Sequence, residues 1–584
     1  MAVEQLITQH IDTWTSALRT RSTAGRGTSG KIELYGIKKL RELILELAVR
    51  GKLVPQDPND EPASELLKHI AAEKAELVKQ GKIKKQKPLP EISEDEKPFE
   101  LPVGWEWVTL SQLGSFSGGK TPSKMRSDYW GGNIPWVTPK DMKTHLIVTS
   151  EDSVTDLAIA DGLAKIYPDS LLFVARSGIL RRIFPVAITA IECTVNQDLK
   201  VLTPFINGIS RYILLMMNGF EKYILKNLTK VGTTVESLLF DEFSSHHFMI
   251  PPLEEQQRVI TKVDELMSLC DQLEQQSLTS LDAHYQLVET LLATLTASQN
   301  AEELAENWAR ISQYFDTLFT TEASIDALKQ TILQLAVMGK LVPQDPNDEP
   351  ASELLNRIEQ EKAQLVKEGK IKKQKPLPPI SDDEKPFELP EGWEWCPLRA
   401  LFAYITDGDH QAPPKASEGT PFLVIGNLNK GDVSFLETKF VPNDYYENLD
   451  WSKKPTTSDM LYTVTGSYGI PIIVKDDTRF CVQRHVAILK SCKNTPIVYL
   501  KNVFLTRYAF DFATKIATGI AQKTVPLTGL REMYIPLPPA NEIVQIIEKI
   551  EIFDMMFLSL KSRLQSAQQT QLHLADALTD AALN

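Results

Sequence analysis

Two stretches of the chain carry apolar residues at alternating spacings of three and four. The first follows the motif PPLEEQQ at 251–257, and its apolar positions are Val259, Val263, Leu266, Cys270 and Leu273. The second follows PPANE at 538–542, and its apolar positions are Ile543, Ile546, Ile550, Phe553, Phe557, Leu560, Leu564 and Ala567. This spacing lines one face of a helix and is typical of a coiled-coil seam. We therefore predict two long helices, each of about 40 residues and so ~60 Å in length.

Shorter patterns complete the predicted architecture. The first seam resumes as Leu281, Tyr285, Val288, Leu292 and Leu295, and the two long helices are expected to pack antiparallel. Short helices, each followed by a glycine, are predicted at 39–50, 63–80, 327–338 and 351–368. The apolar runs LLFVA (171–175) and PFLVI (421–425) indicate buried strands. We predict an α+β protein with two mixed α/β domains separated by long antiparallel coiled-coil-like helices.

An internal repeat explains this organisation. Residues 51–61 read GKLVPQDPNDE, and residues 339–349 repeat them at an offset of 288. The match continues to GWEW, at 104–107 and 392–395, and then disappears for about 140 residues. It returns weakly where PPLEE (251–255) aligns with PPANE (538–542). Two nearly identical frames, related by a pseudo-two-fold duplication, therefore enclose two inserts of different sequence.

We divide the chain into five segments on this basis. They are an N-terminal helical region at 1–99, a first insert at 100–250, a central helical spacer at 251–387, a second insert at 388–537 and a C-terminal helix at 538–584.

The charge is distributed unevenly between frame and inserts. The chain carries a net charge of −13, but residues 104–250 are neutral and residues 392–537 carry +2, so the acidity belongs to the frame. The inserts are therefore compatible with a nucleic-acid partner, provided that another protein supplies much of the phosphate contact. Five scattered cysteines, with no C-x-x-C pair, favour a reducing, cytoplasmic setting. Neither a signal peptide nor an apolar run of about 18 residues, as a membrane span requires, is evident.

The sequence GSFSGGKT at 114–121 matches the phosphate-binding pattern G-x-x-x-x-G-K-[ST]. A buried strand should precede such a loop and a helix should follow it, but the flanking sequence predicts neither. The corresponding region of the second insert, FAYITDGD at 402–409, lacks the lysine. We interpret the match as fortuitous. Asp407, Asp409 and His410 also lack the further ligands that a metal site needs, so we predict no metal in this chain.

The frame resembles a known family. LAVRGKLVPQDPNDEPASELL with its second copy, and IPPLEEQQRVITKVDELMSLCDQLE after an insert, are similar to the specificity subunit of type I restriction–modification enzymes. The long N-terminal frame resembles the branch in which that segment is duplicated. The resemblance covers nearly the whole chain and is weaker at PPANEIVQIIEKIEIFD.

The resemblance implies a non-catalytic DNA reader. Each insert would be a target recognition domain for one half of a bipartite, asymmetric site in double-stranded DNA, with half-sites about 10–10.5 bp apart. The helices would set the gap and dock two modification subunits, with two restriction subunits completing the complex. S-adenosylmethionine, ATP and Mg²⁺ would belong to those partners, and this chain would hold no cofactor. The absence of an N-P-P-[FY] motif agrees with this expectation.

Base edges are read by Arg, Lys, Asn, Gln and hydroxyl side chains, and phosphates by Lys, Arg, Ser and Thr. In the first insert the candidate DNA-binding residues are Lys120, Thr121, Ser123, Lys124, Arg126, Tyr129, Arg176, Ser177, Arg181, Arg182, Asn196, Gln197, Lys230, Thr233 and Thr234. In the second they are Asp407, His410, Gln411, Lys415, Thr465, Ser467, Tyr468, Gln483, Arg484, His485, Gln522, Lys523 and Thr524. Aligning CTVNQD with CVQRH places Asn196 opposite Gln483 and Gln197 opposite Arg484.

Two alternatives remain open at this point. One is a nucleotide-binding NTPase that uses Gly114–Thr121, and the other is a purely structural helical scaffold whose inserts bind protein. The lysine runs at 82–87 and 370–375 are either solvated faces or further DNA contacts.

Overall fold

The computed structural model describes residues 3–21, 31–84, 100–232, 235–373, 380–381, 385–410, 413–428, 430–520 and 522–583. These residues form two compact units. The first unit draws on 1–21, 32–278 and 568–584, and the second chiefly on 279–567. Each unit holds one insert together with helices of the repeated frame. The five-segment division of the sequence, which cuts the chain differently, stays a prediction.

The frame is built mainly of helices. The elements before the first insert are helices and one short strand pair. They are α1 (Val3–Gln9), α2 (Ile11–Ser16), β1 (Arg19–Arg21), β2 (Lys31–Glu33), α3 (Tyr35–Val49) and α4 (Ala63–Lys79). Leu40, Leu43 and Leu47 give α3 a buried face. The same helix is held at its polar positions, where Tyr35 donates to Asp576 at 2.7 Å and Arg41 to Glu274 at 2.8 Å.

The first insert begins and ends in one antiparallel strand pair. Its elements are β3 (Glu106–Thr109), α5 (Leu110–Leu113), β4 (Gly114–Gly118), β5 (Trp130–Val137), β6 (Leu146–Ile147), β7 (Asp152–Val154), α6 (Asp156–Ala160), β8 (Leu171–Val174), β9 (Arg176–Ser177), β10 (Val186–Thr189), β11 (Thr194–Val195), β12 (Leu199–Pro204), α7 (Ser210–Gly219), α8 (Glu221–Asn227), β13 (Thr229–Lys230), β14 (Glu236–Leu238), α9 (Phe240–Ser245) and β15 (His247–Ile250). Strands β15 and β3 pair and close the insert. The sheets have the orders β4-β12-β8-β10-β6, β11-β5-β7 and β13-β14-β9.

Helices of the central spacer follow the first insert. They are α10 (Leu253–Ala297), α11 (Ala301–Gln313), α12 (Phe315–Leu318), α13 (Glu322–Val337) and α14 (Ala351–Lys367).

The second insert and the last helix complete the chain. Their elements are β16 (Glu394–Pro397), α15 (Leu398–Leu401), β17 (Phe402–Asp407), β18 (Thr420–Leu423), β19 (Lys439–Val441), α16 (Asn443–Glu447), β20 (Met460–Thr463), β21 (Pro471–Ile473), β22 (Cys481–Val482), β23 (Val486–Ser491), α17 (Ile497–Phe504), α18 (Arg507–Ile516), α19 (Leu527–Arg531), β24 (Tyr534–Leu537) and α20 (Ala540–Leu583). Strands β16 and β24 close the insert, and the sheets have the orders β17-β23-β20-β21 and β19-β18-β22.

The two inserts share one strand plan although their sequences differ. In the first, β12 lies between β4 and β8, and in the second β23 lies between β17 and β20. The short strands β11 and β22 each pair in parallel with an earlier strand of their own insert, β5 and β18 respectively. A pair of terminal strands closes both inserts. The duplication predicted from the frame therefore extends to the fold of the inserts.

The two long helices form as predicted, with small differences. α10 runs without interruption through the expected skip, and Val259, Val263, Leu266, Cys270 and Leu273 are all buried. In the second unit, Val288, Leu292 and Leu295 of α10 share a core with Phe557 of α20. The seam prediction is wrong at Tyr285 and Ala567, whose side chains are exposed. Tyr285 instead donates a hydrogen bond to Glu289 at 2.7 Å.

A buried glutamate marks the junction between frame and long helix in each unit. In the second unit, Glu542 lies in the first turn of α20, where it accepts from Trp393 Nε1 at 2.9 Å and from Gln344 Nε2 at 3.2 Å. In the first unit, Glu255 in the first turn of α10 accepts from Gln56 Nε2 at 3.2 Å. Both carboxylates are 1% exposed. In each unit, therefore, the same glutamine–glutamate hydrogen bond joins the repeated PQDPNDEP segment to the long helix.

Replacing Glu542 with Gln is expected to make the stability of the second unit less dependent on pH. Burial raises the pKa of Glu542 above its ordinary value of 4.5, so the folded chain binds this proton more tightly than the unfolded chain. Folding stability therefore falls as pH rises from 4.5 through the raised pKa. Glutamine carries no such charge and keeps an oxygen for Trp393, but its amide nitrogen faces the Gln344 Nε2 donor, a loss that does not vary with pH. Melting temperatures measured from pH 4 to pH 8 should therefore shift in favour of the variant, relative to the wild type, as pH rises.

The matched control is Glu551→Gln, which changes an exposed glutamate of the same helix and should leave the profile unchanged. A difference in melting temperature between Glu542→Gln and the wild type that stays constant from pH 4 to pH 8 would contradict the assignment.

Candidate nucleic-acid interface

In the first insert, the GSFSGGKT segment begins as strand β4, and the residues after this strand pack closely against the backbone of another segment. After β4, Lys120 N donates to Val195 O at 3.0 Å, and Trp136 Nε1 donates to Lys120 O at 3.3 Å. A Cβ added at Gly119 would lie 2.1 Å from the carbonyl oxygens of both Val195 and Asn196. The next regular element along the chain is a 3₁₀ turn at Ser127–Tyr129, so no α-helix directly follows the loop, as a phosphate-binding loop requires. Gly119 is therefore required by close backbone packing, not by a phosphate.

Two predicted stretches of the first insert meet at this point. The Thr121 hydroxyl donates to the side-chain oxygen of Gln197. Asn196 is only 6% exposed, and its amide donates to Asp198 at 3.1 Å. Its backbone N donates to Val137 O at 3.0 Å. Gln197 and Lys120 are exposed, whereas Asn196 supports the loop from beneath.

The arginine stretch of the first insert joins the same surface through backbone contacts. Arg176 N donates to Asp198 O at 3.2 Å, next to the Asn196 loop. Arg176 pairs with Ser237 in the small sheet, and Ser237 in turn pairs with Lys230. Arg181 approaches Glu236 at 3.3 Å. The predicted residues Lys120, Thr121, Arg176, Ser177, Arg181, Gln197 and Lys230 therefore belong to one continuous edge.

The stretch from Ser123 to Tyr129 forms a separate local cluster. Arg126 binds Asp128 through Nε at 2.9 Å and lies 4.2 Å from the centre of the Tyr129 ring. Tyr129 donates to Asp161 at 2.5 Å, a bond that raises the pKa of this phenol. The Arg126 contact lowers the pKa of Asp128. Arg126 and Tyr129 are thus already paired within the protein, whereas Lys124 and Arg182 are exposed.

Four stretches of the second insert also come together at one edge. Asp409 forms a parallel backbone bridge with Gln483. Val464 N donates to His485 O at 3.0 Å, and Gly466 N donates to Lys523 O at 3.1 Å. The predicted stretches around Asp407, Thr465, Arg484 and Lys523 are therefore neighbours in the fold, although they are far apart in sequence.

Hydroxyl and imidazole groups occupy the centre of this edge. The Thr465 and Thr524 hydroxyls are 3.2 Å apart. Burial, together with the neighbouring Arg484, lowers the pKa of His485, and Arg484 Nε donates to His485 Nε2 at 3.4 Å. Arg484, Ser467, Lys415, Gln522 and Lys523 are exposed. Tyr468 instead packs inward, stacking on Phe510 and bonding to Thr514 at 3.0 Å.

The Asp-Gly-Asp-His segment is held by protein contacts. Asp409 binds Lys453 at 2.7 Å and Tyr445 at 2.9 Å, and the lysine contact lowers the pKa of this carboxyl. Asp407 pairs with His410 at 3.2 Å. Within the part of the chain that the structure describes, no cluster of His, Cys, Asp or Glu could hold a metal ion.

The two edges are built alike at their centres. A Cβ added at Gly408 would lie 2.0 Å from Val482 O, as Gly119 lies against Val195. Gln483 N donates to Leu423 O at 3.0 Å, the counterpart of the bond from Asn196 to Val137. The sequence alignment of Asn196 with Gln483 is thereby confirmed. Sequence reasoning missed Asp198, which joins two loops and directly follows Gln197.

Some predicted residues lie outside the described residues. They are Thr233, Thr234 and Gln411, together with residues 85–87 and 374–375 of the two lysine runs. Of the described lysines in these runs, Lys370 lies 3.0 Å from Glu368.

Comparisons with known proteins give the family. Residues 102–283 match the family model described as the type I restriction modification DNA specificity domain. The specificity subunit of the type I restriction enzyme EcoAI from Escherichia coli is 51% identical, and that of EcoEI from the same organism is also 51% identical; each alignment covers 100% of both chains. The HsdS subunit structure from Thermoanaerobacter tengcongensis is 17% identical, with a TM-score of 0.36, and covers 84% of this chain and 98% of that chain.

The family model and the two full-length relatives define a class of proteins that recognise DNA sequence for a restriction–modification complex. The chain belongs to the specificity subunits of type I restriction–modification enzymes. It acts with DNA and with other subunits of such a system, and its own role is non-catalytic. This assignment is favoured over both the NTPase and the scaffold alternatives. Among the described residues, no helix has the length and apolar character needed to cross a membrane.

Proposed function

We propose that each insert reads one half of a bipartite, asymmetric site in double-stranded DNA. The observation that carries this proposal is the convergence of the predicted polar stretches at the same edge of two equivalent folds. Equivalent positions there hold different chemistry, since Gln197 of the first insert corresponds to Arg484 of the second. A glutamine suits adenine and an arginine suits guanine, so the two inserts would select different bases.

The long helices set the gap between half-sites and dock two modification subunits, with two restriction subunits completing the complex. S-adenosylmethionine, ATP and Mg²⁺ are used by those partners, and this chain binds no cofactor. We expect the complex to act in the cytoplasm, where its DNA is found. The lysines that the structure describes in the runs 82–87 and 370–375 would contact phosphates. Such contacts strengthen binding without adding sequence preference.

Methylation mapping tests the proposal. The chain is co-expressed with its modification subunit in a host that lacks other DNA methylation, and modified adenines are located by sequencing. We expect a single bipartite motif with a fixed gap. Replacing residues 104–250 by the corresponding insert of a relative should change one half of the motif, and replacing residues 392–537 should change the other half.

Each replacement is the control for the other, because the frame and the gap stay constant. A complex that co-purifies but modifies no motif would contradict the proposal, and nucleotide binding at Lys120 would then be measured. An insert replacement that altered both half-sites would contradict the assignment of one half-site to each insert.

A further inference from the structure

Each insert carries an exposed apolar side chain on a short hairpin. In the second insert, Thr518 and Thr524 exchange backbone hydrogen bonds of 2.9 and 2.8 Å, and Ile520 between them is fully exposed, at 106%. In the first insert, Lys230 pairs with Ser237, and the next residue, Val231, is 78% exposed. These β-branched side chains contribute little to the core of either insert. Polar residues of the same exposure would serve the fold as well, so the fold does not explain why these residues are apolar.

The two hairpins occupy equivalent places on the candidate interface. Val525 N donates to Val464 O at 2.8 Å in the second insert, and Leu238 N donates to Ala175 O at 2.8 Å in the first. Ala175 and Val464 each follow an inner strand of their sheet, β8 and β20. The hairpins therefore extend from the edges where the predicted polar stretches meet.

Backbone contacts fix the described residues on either side of the turn in the second insert. Gly519 has φ +100, and a Cβ added there would lie 2.4 Å from Gln522 O, so the turn needs glycine. The strand after the turn is bonded to the rest of the edge through Lys523 and Val525. Ile520 follows this glycine and is exposed.

We propose that Ile520 contacts the C5 methyl of a thymine in the major groove, and that Val231 does the same in the other half-site. This inference rests on the proposed function, because it assigns a base contact to an insert that reads DNA. The major groove admits a two-stranded ribbon, and the thymine methyl is the apolar group that it displays. The flanking hydroxyls of Thr518 and Thr524 and the ammonium of Lys523 suit polar base edges and phosphate beside that methyl.

The test uses the purified complex of this chain with its modification subunits, and DNA duplexes that carry the mapped motif. Each thymine of the half-site assigned to the second insert is replaced in turn by uracil, which lacks only the methyl. We expect one replacement to weaken wild-type binding roughly fourfold, in line with the loss of about one buried methyl group. Ile520→Ala should weaken binding of the thymine duplex to the same extent and should be insensitive to that uracil.

Leu436→Ala is the matched control, because Leu436 is 81% exposed in the same insert but lies on another loop. It should keep the wild-type affinity and the wild-type response to uracil. Val231→Ala should abolish the loss of affinity on uracil replacement only in the other half-site.

Three results would overturn the inference while leaving the bipartite motif, and so the proposed function, intact. They are a half-site without thymine, an Ile520→Ala complex that keeps its uracil response, and an Ile520→Ala chain that no longer co-purifies with the modification subunits. The last result would assign the hairpin to a protein contact. A wild-type complex that methylates no motif would instead contradict the proposed function.

Discussion

Lys490→Met is expected to lower the free energy of unfolding of the second insert by about 3–5 kcal/mol, because it leaves a buried carboxylate without its partner. Lys490 and Asp459 form an ion pair in which the side chains are 5% and 3% exposed. The ammonium also donates to Lys454 O at 2.9 Å and to Thr456 Oγ1 at 3.0 Å. Asp459 accepts from Thr456 N at 2.8 Å and from Ser491 N at 3.0 Å. Denaturant unfolding of wild type and variant measures the loss.

The first insert provides the matched control, since it has a neutral pair at the same place. Ser170 and Thr203 flank the paired residues Leu171 and Leu202, as Asp459 and Lys490 flank Met460 and Leu489. The Ser170 and Thr203 hydroxyls are 3.2 Å apart. The double variant Asp459→Ser with Lys490→Thr should therefore be more stable than Lys490→Met. If the double variant were the less stable of the two, the unpaired charge could not be the cause of the loss.

Gly408→Ala is expected to weaken recognition of one half-site by roughly 10- to 100-fold, the cost of about one misread base pair. The added Cβ would lie 2.0 Å from the Val482 carbonyl, which belongs to backbone and cannot rotate away. The loop that carries Asp409 and His410 must then move. Gly119→Ala should do the same to the other half-site, where it displaces Lys120 and Thr121. Duplexes altered in one half-site at a time, tested for binding and methylation, identify the half that is lost.

Two other glycines serve as controls for these substitutions. A Cβ at Gly178 in the first insert, or at Gly426 in the second, would meet nothing within 4 Å. Alanine at these positions should leave recognition and melting temperature unchanged. Equal losses for Gly408→Ala and Gly426→Ala would show that crowding at Val482 is not the cause.

The sequence predicts the frame well because the frame is repetitive and locally encoded. The spacing of Val259, Val263 and Leu266 identifies α10 without knowledge of any distant contact. Helix starts are less well predicted. α13 begins at Glu322, after Thr321 accepts from Ser324 N at 3.1 Å, but the apolar pattern alone places its start at residue 327. A hydroxyl cap, which carries no hydrophobic signal, sets this boundary.

The candidate interface is predicted only in part, because long-range contacts decide which polar residues remain available. The sequence alignment of the two inserts places Asn196 opposite Gln483, but it does not show that the Gly119 segment packs against Asn196. The sequence around Tyr129 does not show that its hydroxyl binds Asp161, 32 residues away. Tyr468 is likewise committed to Phe510 and Thr514, on a helix far along the chain. Residue type thus selects candidates, but tertiary packing removes some of them.

The repeated junction also has a consequence for the gene. Residues 51–61 and 339–349 are identical, so a crossover between the two coding segments would excise 288 codons in frame. The protein left by that event would join the N-terminal helices to the second insert through an unchanged PQDPNDE segment. Gln56 would then take the place of Gln344 opposite Glu542. The segment that fastens each insert to its helix therefore also marks where recombination can delete or exchange a recognition domain and leave an intact junction behind.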